Sequence, residues 1–356
     1  MNIGTHEHMD SIIHKIRGHP ADSIIAEAAA IIRRGGLVAF PTETVYGLGA
    51  DALNASAVGQ IFAAKGRPPD NPLIIHLFKS TDAARIASDI PDVFSALAQR
   101  FWPGPLTLIL KKKDCVPAAT SGGLDTVALR MPDHPIALSL IEAAGGFIAA
   151  PSANLSGRPS PTQARHVIAD MDGRVDMILD GGDCAVGLES TILDISDAHP
   201  QILRPGTITA ENIAAVTGTM PLAIASHMAE TAPPRAPGMK YGHYAPRARM
   251  TVVQGTDAAV IAYINGRVKA EQERGLSCGI IAAAQSAPHY PAKMVKVLGE
   301  RRDPAEMAHN LYKLLREFDD EGIDVIYSEA FAANGIGAAL MERLHKAAGG
   351  RIHNAF

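Results

Sequence analysis

Apolar residues at 24, 25, 28, 31 and 32 fall on one face of a helix over residues 21–34, which the Gly35-Gly36 pair ends. A short apolar run at 37–40 predicts a strand, and 57–65 a helix. Runs with β-branched residues predict further strands at 73–77, 106–110, 127–131, 147–150, 177–179, 191–195 and 202–203. Helical spacing intervenes at 83–88, 93–101, 136–144 and 163–171. Some strands follow one another directly, so the pattern is a mixed sheet flanked by helices rather than a regular βαβ alternation. Residues 1–20 read as an N-terminal tail and 21–216 as the first domain. Residues 217–249 are proline-rich and aperiodic, and a connection of that length is a linker or a functional lid. A second α/β pattern fills 250–356: strands at 250–254, 278–283 and 324–327, and helices at 257–274, 304–318 and 338–348. The expected fold is α/β, an open twisted mixed sheet followed by a small Rossmann-like domain.

Bulk composition narrows the function. The 356 residues are 47% hydrophobic and 20% charged, as in ordinary globular proteins, and the length suits two domains. A formal net charge of -4 argues against a protein that coats nucleic acid, and 5% aromatics argue against broad base-stacking platforms. No apolar run is long enough to span a bilayer, and the N-terminus lacks the features of a secretory signal. Cys115, Cys184 and Cys278 are dispersed and form no Cys-x-x-Cys, so a reducing cytoplasm without disulfides or structural zinc is expected. The chain has no P-loop, no His-Glu-x-x-His and no Gly-x-Ser-x-Gly elbow.

The remaining candidates lie near strand ends. In AAKGRPPDNPLIIHL, Lys65 and Arg67 flank Gly66 and are followed by Pro68, Pro69 and Pro72, just before a strand. Two cations on a stiffened turn suit a polyanion such as a triphosphate, although basic residues before a strand also serve as solvated surface charges. FPTETVYGLGAD places hydroxyls between a strand and two glycines, either for a polar ligand or for a hairpin that bonds its own backbone. FIAAPSANLSGRPSPT offers Ser152, Asn154 and Ser156 after a strand, where open α/β sheets bind ligands. Arg130, inside VALRMPDHP, is expensive to bury unless it meets an anion, which a ligand or a structural carboxylate would supply.

Together with WPGPLTLIL and LESTILDI…ILRPGT, these stretches occur in the order of the YrdC family and cover nearly all of residues 20–210. APGMKYGHYAP and the α/β region after it resemble the two-domain form of that family, the threonylcarbamoyl-AMP synthases. The resemblance implies a sheet around a large concave basic cavity. It also implies synthesis of L-threonylcarbamoyladenylate and pyrophosphate from L-threonine, bicarbonate or CO2, and ATP, with Mg²⁺ accompanying the ATP. The product would feed tRNA threonylcarbamoyl transfer machinery. Carried over by position, Lys65, Arg67 and Arg130 are the catalytic cations. Lys65, Arg67, Asn71, Thr126, Ser152, Asn154, Ser160, Arg204 and Tyr241 surround ATP. Thr44, His76, Arg130 and Ser190 hold threonine. Tyr241 corresponds to a linker tyrosine, with Tyr244 as the alternative, and Gly242 stands where a bulkier or charged residue is expected. A competing reading is a non-catalytic module binding double-stranded RNA or tRNA. Carbamoyl transfer in hydrogenase-cofactor maturation is disfavoured because the zinc-finger region of those proteins is missing.

Overall fold

The computed structural model describes residues 10–223, 234–237, 239, 244–290, 293 and 295–356. The chain runs through β1 (Ile12–Lys15), α1 (Asp22–Arg33), β2 (Val38–Phe40), β3 (Gly47–Asp51), α2 (Ala55–Lys65), β4 (Ile74–Leu77), α3 (Ala83–Ile86), β5 (Ala87–Ser88), α4 (Val93–Phe101) and β6 (Leu106–Lys112). It continues through α5 (Ala118–Ser121), β7 (Thr126–Arg130), α6 (Pro135–Ala143), β8 (Phe147–Ala149), α7 (Ala164–Met171), β9 (Met177–Asp180), β10 (Thr191–Asp194), β11 (Gln201–Arg204), α8 (Ala210–Thr217) and β12 (Leu222–Ala223). These strands form one 12-stranded mixed sheet, ordered β1-β9-β2-β3-β8-β4-β7-β6-β10-β11-β12, with β5 paired to β6.

Alternation along the strands divides the core between the two faces of the sheet. Ala39, Leu48, Ile75 and Leu77 pack into one apolar cluster with α2 and α4. Val38, Phe40 and Ile148 pack into the other, beneath α1 and α6. Two elements govern the site. Helix α2 starts at Asn54, whose side chain accepts from the N–H groups of Ser56 and Ala57, and stops at Gly66 in the left-handed region (φ 61°). Strands β4 and β7 pair in parallel with His76 opposite Arg130, so both side chains reach the same face near the carboxyl ends.

The second sheet contains β13 (Arg249–Gly255), β14 (Cys278–Ala283), β15 (Val295–Gly299), β16 (Val325–Glu329) and β17 (Ile352–Ala355). All its pairings are parallel, in the order β15-β14-β16-β13-β17. Helix α9 (Asp257–Glu273) covers the face bearing Val253, Ile280 and Val325. Helices α10 (Pro304–Asp320) and α11 (Ile336–Ala347) cover the face bearing Val252, Ile281 and Ile326. This is the doubly wound, Rossmann-like arrangement expected. The cluster under α10 and α11 also takes in Val45 and Leu188 from the first domain, so an apolar seam joins the two.

Several details differ from the sequence pattern. Ile12–Lys15, assigned to the tail, is a strand parallel to β9. Its exposed Ile12 and Ile13 lack the alternating burial by which strands are recognised. Residues 87–88 leave the predicted helix and pair with β6. The GLGAD stretch is a strand closing a hairpin with β2. Helix α8 was missed although Thr209 and Asn212 form a capping box at its start. Tyr241 and Gly242 lie outside the described residues.

Candidate active site

Strand ends and the loops beyond them surround a hollow of about 580 Å³, counting its open mouth. Its wall includes Thr42 and Thr44 from the β2–β3 hairpin, Arg67 after α2, His76 and Arg130 from the β4/β7 pair, Ser152, Glu189, Ser190, Arg204, Pro237 and Tyr244. Three guanidiniums therefore share one cavity, as the resemblance implied.

The position of Arg67 follows from the end of α2. With Gly66 in the left-handed region, the N–H of Arg67 returns to the Phe62 carbonyl at 2.9 Å, a Schellman-type closure that directs the two flanking cations differently. Arg67 reaches the hollow, where Nη2 donates to Pro72 O at 3.2 Å. Lys65 turns inward and is buried. Its Nζ donates to the carbonyls of Ser152 and of Asn154, the latter at 2.5 Å, while its own carbonyl accepts from Ser156 N at 2.9 Å. Lys65 thus fastens the Ser-rich loop from below. Burial, and then the Arg67 guanidinium, lower its pKa.

Arg130 is 4% exposed. Its Nε donates to Gly104 O at 3.2 Å, and Nη2 faces Glu43 Oε1 at 2.6 Å. This ion pair lies off the hydrogen-bonding direction, so Nη2 and both Glu43 oxygens have no aligned partner among the described residues. His76 Nδ1 and both amide atoms of Asn71 are also buried without hydrogen-bond partners. Buried polar atoms in this condition are uncommon and call for a partner.

Elsewhere on the wall, Arg204 Nε donates to Ser190 O at 3.1 Å and Nη2 to Ser190 Oγ at 3.2 Å, while Ser190 Oγ lies 2.7 Å from Thr107 Oγ1. Glu189 accepts from Ser160 Oγ at 2.5 Å, Tyr312 OH at 2.9 Å and Arg343 Nε at 3.0 Å. Burial acts to raise its pKa, but Arg343, Arg204 and the Ser160 hydrogen bond hold it at about 2. Tyr244 has a left-handed φ of 66°, uncommon for a residue with a side chain, and lines the hollow.

The structure thus gathers Thr44, Arg67, His76, Arg130, Ser152, Ser190 and Arg204 at one cavity. Lys65, Asn71, Thr126, Asn154 and Ser160 do not line it. Thr126 begins the strand that Arg130 ends. Asn154 spends its amide on Leu155 O and Arg158 O, closing a turn. Ser160 acts on Glu189. Of the two linker tyrosines, Tyr244 is the described one and reaches the site. Glu43 and Glu189 were missed, because a carboxylate in an anion site is legible only once its counter-ion is known. The hydroxyl cluster satisfies both of its readings, since Thr42 Oγ1 bonds Val45 O at 2.6 Å and yet lines the hollow.

Two buried histidines make stability depend on pH. Burial, then Arg130, lowers His76 from 6.5 to about 3. Burial, then Arg316, lowers His166 from 6.5 to about 3. The unfolded chain binds these protons near pH 6.5 and the folded chain only near 3, so their contribution is complete above 6.5 and is lost as pH falls through that window. Stability should fall by about 1.4 kcal/mol per pH unit for each histidine protonated only when unfolded. Urea unfolding at pH 7.5 and 5 measures this, and His166→Gln should reduce the difference. Equal stability at both pH values would contradict it.

Fold and site define an α/β protein of the YrdC type with a Rossmann-like domain appended. A family model described as telomere recombination, of the Sua5, YciO and YrdC proteins, matches residues 30–206, and one described as threonylcarbamoyl-AMP synthase, C-terminal domain, matches residues 208–349. The threonylcarbamoyl-AMP synthase of Pyrococcus abyssi is 47% identical over 342 residues, 96% of this chain and 99% of the relative. That of Bacillus subtilis is 47% identical over 333 residues, 93% of this chain and 94% of the relative. The crystal structure of P. abyssi Sua5 complexed with L-threonine superposes with a TM-score of 0.92 at 47% identity, covering 97% of this chain and 100% of that one. The chain belongs to the threonylcarbamoyl-AMP synthase family.

Proposed function

We propose that this chain is a nucleotidyltransferase that forms L-threonylcarbamoyladenylate and pyrophosphate from L-threonine, bicarbonate or CO2, and ATP, for threonylcarbamoylation of tRNA. The observation that carries this reading is the convergence of Arg67, Arg130 and Arg204 on one hollow. The reactants are anionic and repel one another, so catalysis here is largely neutralisation and alignment. The threonine amine captures CO2 and loses a proton to give a carbamate. A carbamate oxygen attacks the α-phosphorus of ATP, the bond from that phosphorus to the bridging oxygen breaks, and pyrophosphate leaves.

Arg130 takes the threonine carboxylate, with Thr44, His76 and Ser190 around the amino acid. Burial keeps His76 neutral at physiological pH, so it offers a hydrogen bond without adding charge. Arg67, Arg204 and Ser152 face the nucleotide phosphates. Lys65 supports Ser152 through the carbonyls it holds, and the Asn71 backbone carbonyl accepts from Arg67 Nη2 at 3.4 Å. Mg²⁺ enters as the substrate complex with ATP; among the described residues no group of three or more metal-ligating side chains converges. Pro237 and Tyr244 support a covering role for the linker, which would protect a hydrolysable mixed anhydride from water. The adenylate passes to the machinery that transfers threonylcarbamoyl to tRNA. Three free cysteines suit work in a reducing cytoplasm.

Pyrophosphate release, measured while omitting ATP, threonine and bicarbonate in turn, tests the reading. All three should be required, and the adenylate should be found by mass. RNA binding that persists without ATP, with no pyrophosphate formed, would favour the RNA-binding module instead.

A further inference from the structure

Two loops of the first domain carry wall residues of the hollow: 151–160 beyond β8 and 184–190 ahead of β10. Helix α10 of the second domain holds both. In the later loop, Gly187 has φ 78°, and a Cβ there would lie 2.5 Å from the Cα and carbonyl oxygen of His309, so the two backbones are in direct contact. His309 Nδ1 lies 3.0 Å from Ala185 O. In the earlier loop, the buried Arg316 donates from Nε to Pro159 O at 3.1 Å and pairs with Asp170 at 2.8 Å. Asp170 also pairs with Arg158 in that loop.

The deepest contact is with Glu189. Arg343 of α11 is the largest fully buried side chain in the chain's described residues. Its Nε meets Glu189 at 3.0 Å, Tyr312 OH meets the same carboxylate at 2.9 Å, and the guanidinium lies 5.5 Å from the centre of the Tyr244 ring. The Tyr244 and Tyr312 rings are 5.3 Å apart. A buried charge is tolerated only when paired, and a hollow that gathers anions gains nothing from an unneutralised carboxylate. Glu189 also lies within the electrostatic reach of Arg204.

We propose that the second domain is a working part of the active site, in which Arg343 and Tyr312 are positioning residues that occupy Glu189, leave Arg204 available to the nucleotide, and hold Tyr244 at the wall. This rests on the reading of the hollow as the adenylate-forming site. Without Arg343, Glu189 competes with the nucleotide phosphates for Arg204. Arg343→Met in the full chain should therefore raise KM for ATP by about tenfold or more, the loss typical of a broken buried charge pair, and change KM for threonine by less than about threefold. Glu189→Gln in the Arg343→Met background removes the competing charge and should restore most of the ATP affinity. Tyr312→Phe removes one hydroxyl and keeps the ring, and should raise KM for ATP by about threefold.

Steady-state pyrophosphate release with ATP and threonine varied separately reads all three variants, and thermal unfolding checks that each is folded. A wild-type KM for ATP in folded Arg343→Met would overturn the inference, as would equal rises for both substrates. If Arg343→Met does not fold, an unchanged KM for ATP in Tyr312→Phe overturns it and a raised one supports it. If the wild-type chain itself releases no pyrophosphate in response to threonine, the reading of the hollow fails and this inference falls with it, a result distinct from an active enzyme with indifferent variants.

Discussion

Arg130→Ala is expected to lower kcat/KM for threonine by about a thousandfold, the loss that follows removal of a dry, charge-assisted anion contact. The affinity for ATP should change by less than about threefold, because Arg67 and Arg204 remain. The substitution also strands Glu43, whose carboxylate is buried beside Nη2, and breaking such a pair costs about 3–5 kcal/mol of stability. Combining Arg130→Ala with Glu43→Gln removes the stranded charge. The double variant should regain thermal stability and remain inactive with threonine. Recovery of both stability and activity would show that Arg130 serves only as the counter-ion of Glu43. Arg130→Lys keeps the charge but loses the planar fork, and should fall between wild type and alanine. Calorimetric titration of ATP and threonine, beside pyrophosphate release, separates these outcomes.

The sequence revealed what depends on local chain chemistry. Strands β4 and β7 are apolar, β-branched runs buried from both sides, and their residues could be placed without knowing the partner strand. Arg130 stood out because nothing else in such a run is charged. Glu43 and Glu189 carried no such signal, because their meaning comes from residues far along the chain. Arg343 lies 154 positions from the carboxylate it neutralises, and Tyr312 lies 123. The edge strand β1 was missed for a related reason: exposed on its outer side, it lacks the alternating burial that distinguishes a strand from a tail. The predicted strand over 127–131 starts one residue early in the structure and so takes in Thr126, but the five extended residues of β7 separate Thr126 from Arg130 by about 13 Å, and only Arg130 meets the hollow.

Lys65 shows how a local pattern can name a residue without fixing its posture. The Lys-Gly-Arg spacing sets two cations on one turn, and the left-handed glycine at the helix end sends one into the protein and the other to the cavity. Lys65→Met should therefore act first on structure. It leaves the carbonyls of Ser152 and Asn154 buried without a donor, at about 1–3 kcal/mol each, and releases a loop that carries Ser152 at the wall. Thermal stability should fall measurably, and both ATP and threonine should bind more weakly, with turnover below about 1% of wild type. An amine that left its carbonyls to meet a phosphate would behave differently: unchanged unfolding without ligand, normal threonine affinity, and a loss confined to ATP. Hydrogen exchange of the 152–160 amides in the ligand-free variant separates the two. Faster exchange there identifies Lys65 as the clasp of the loop, whereas wild-type protection would mean that its ammonium is held in reserve for the nucleotide.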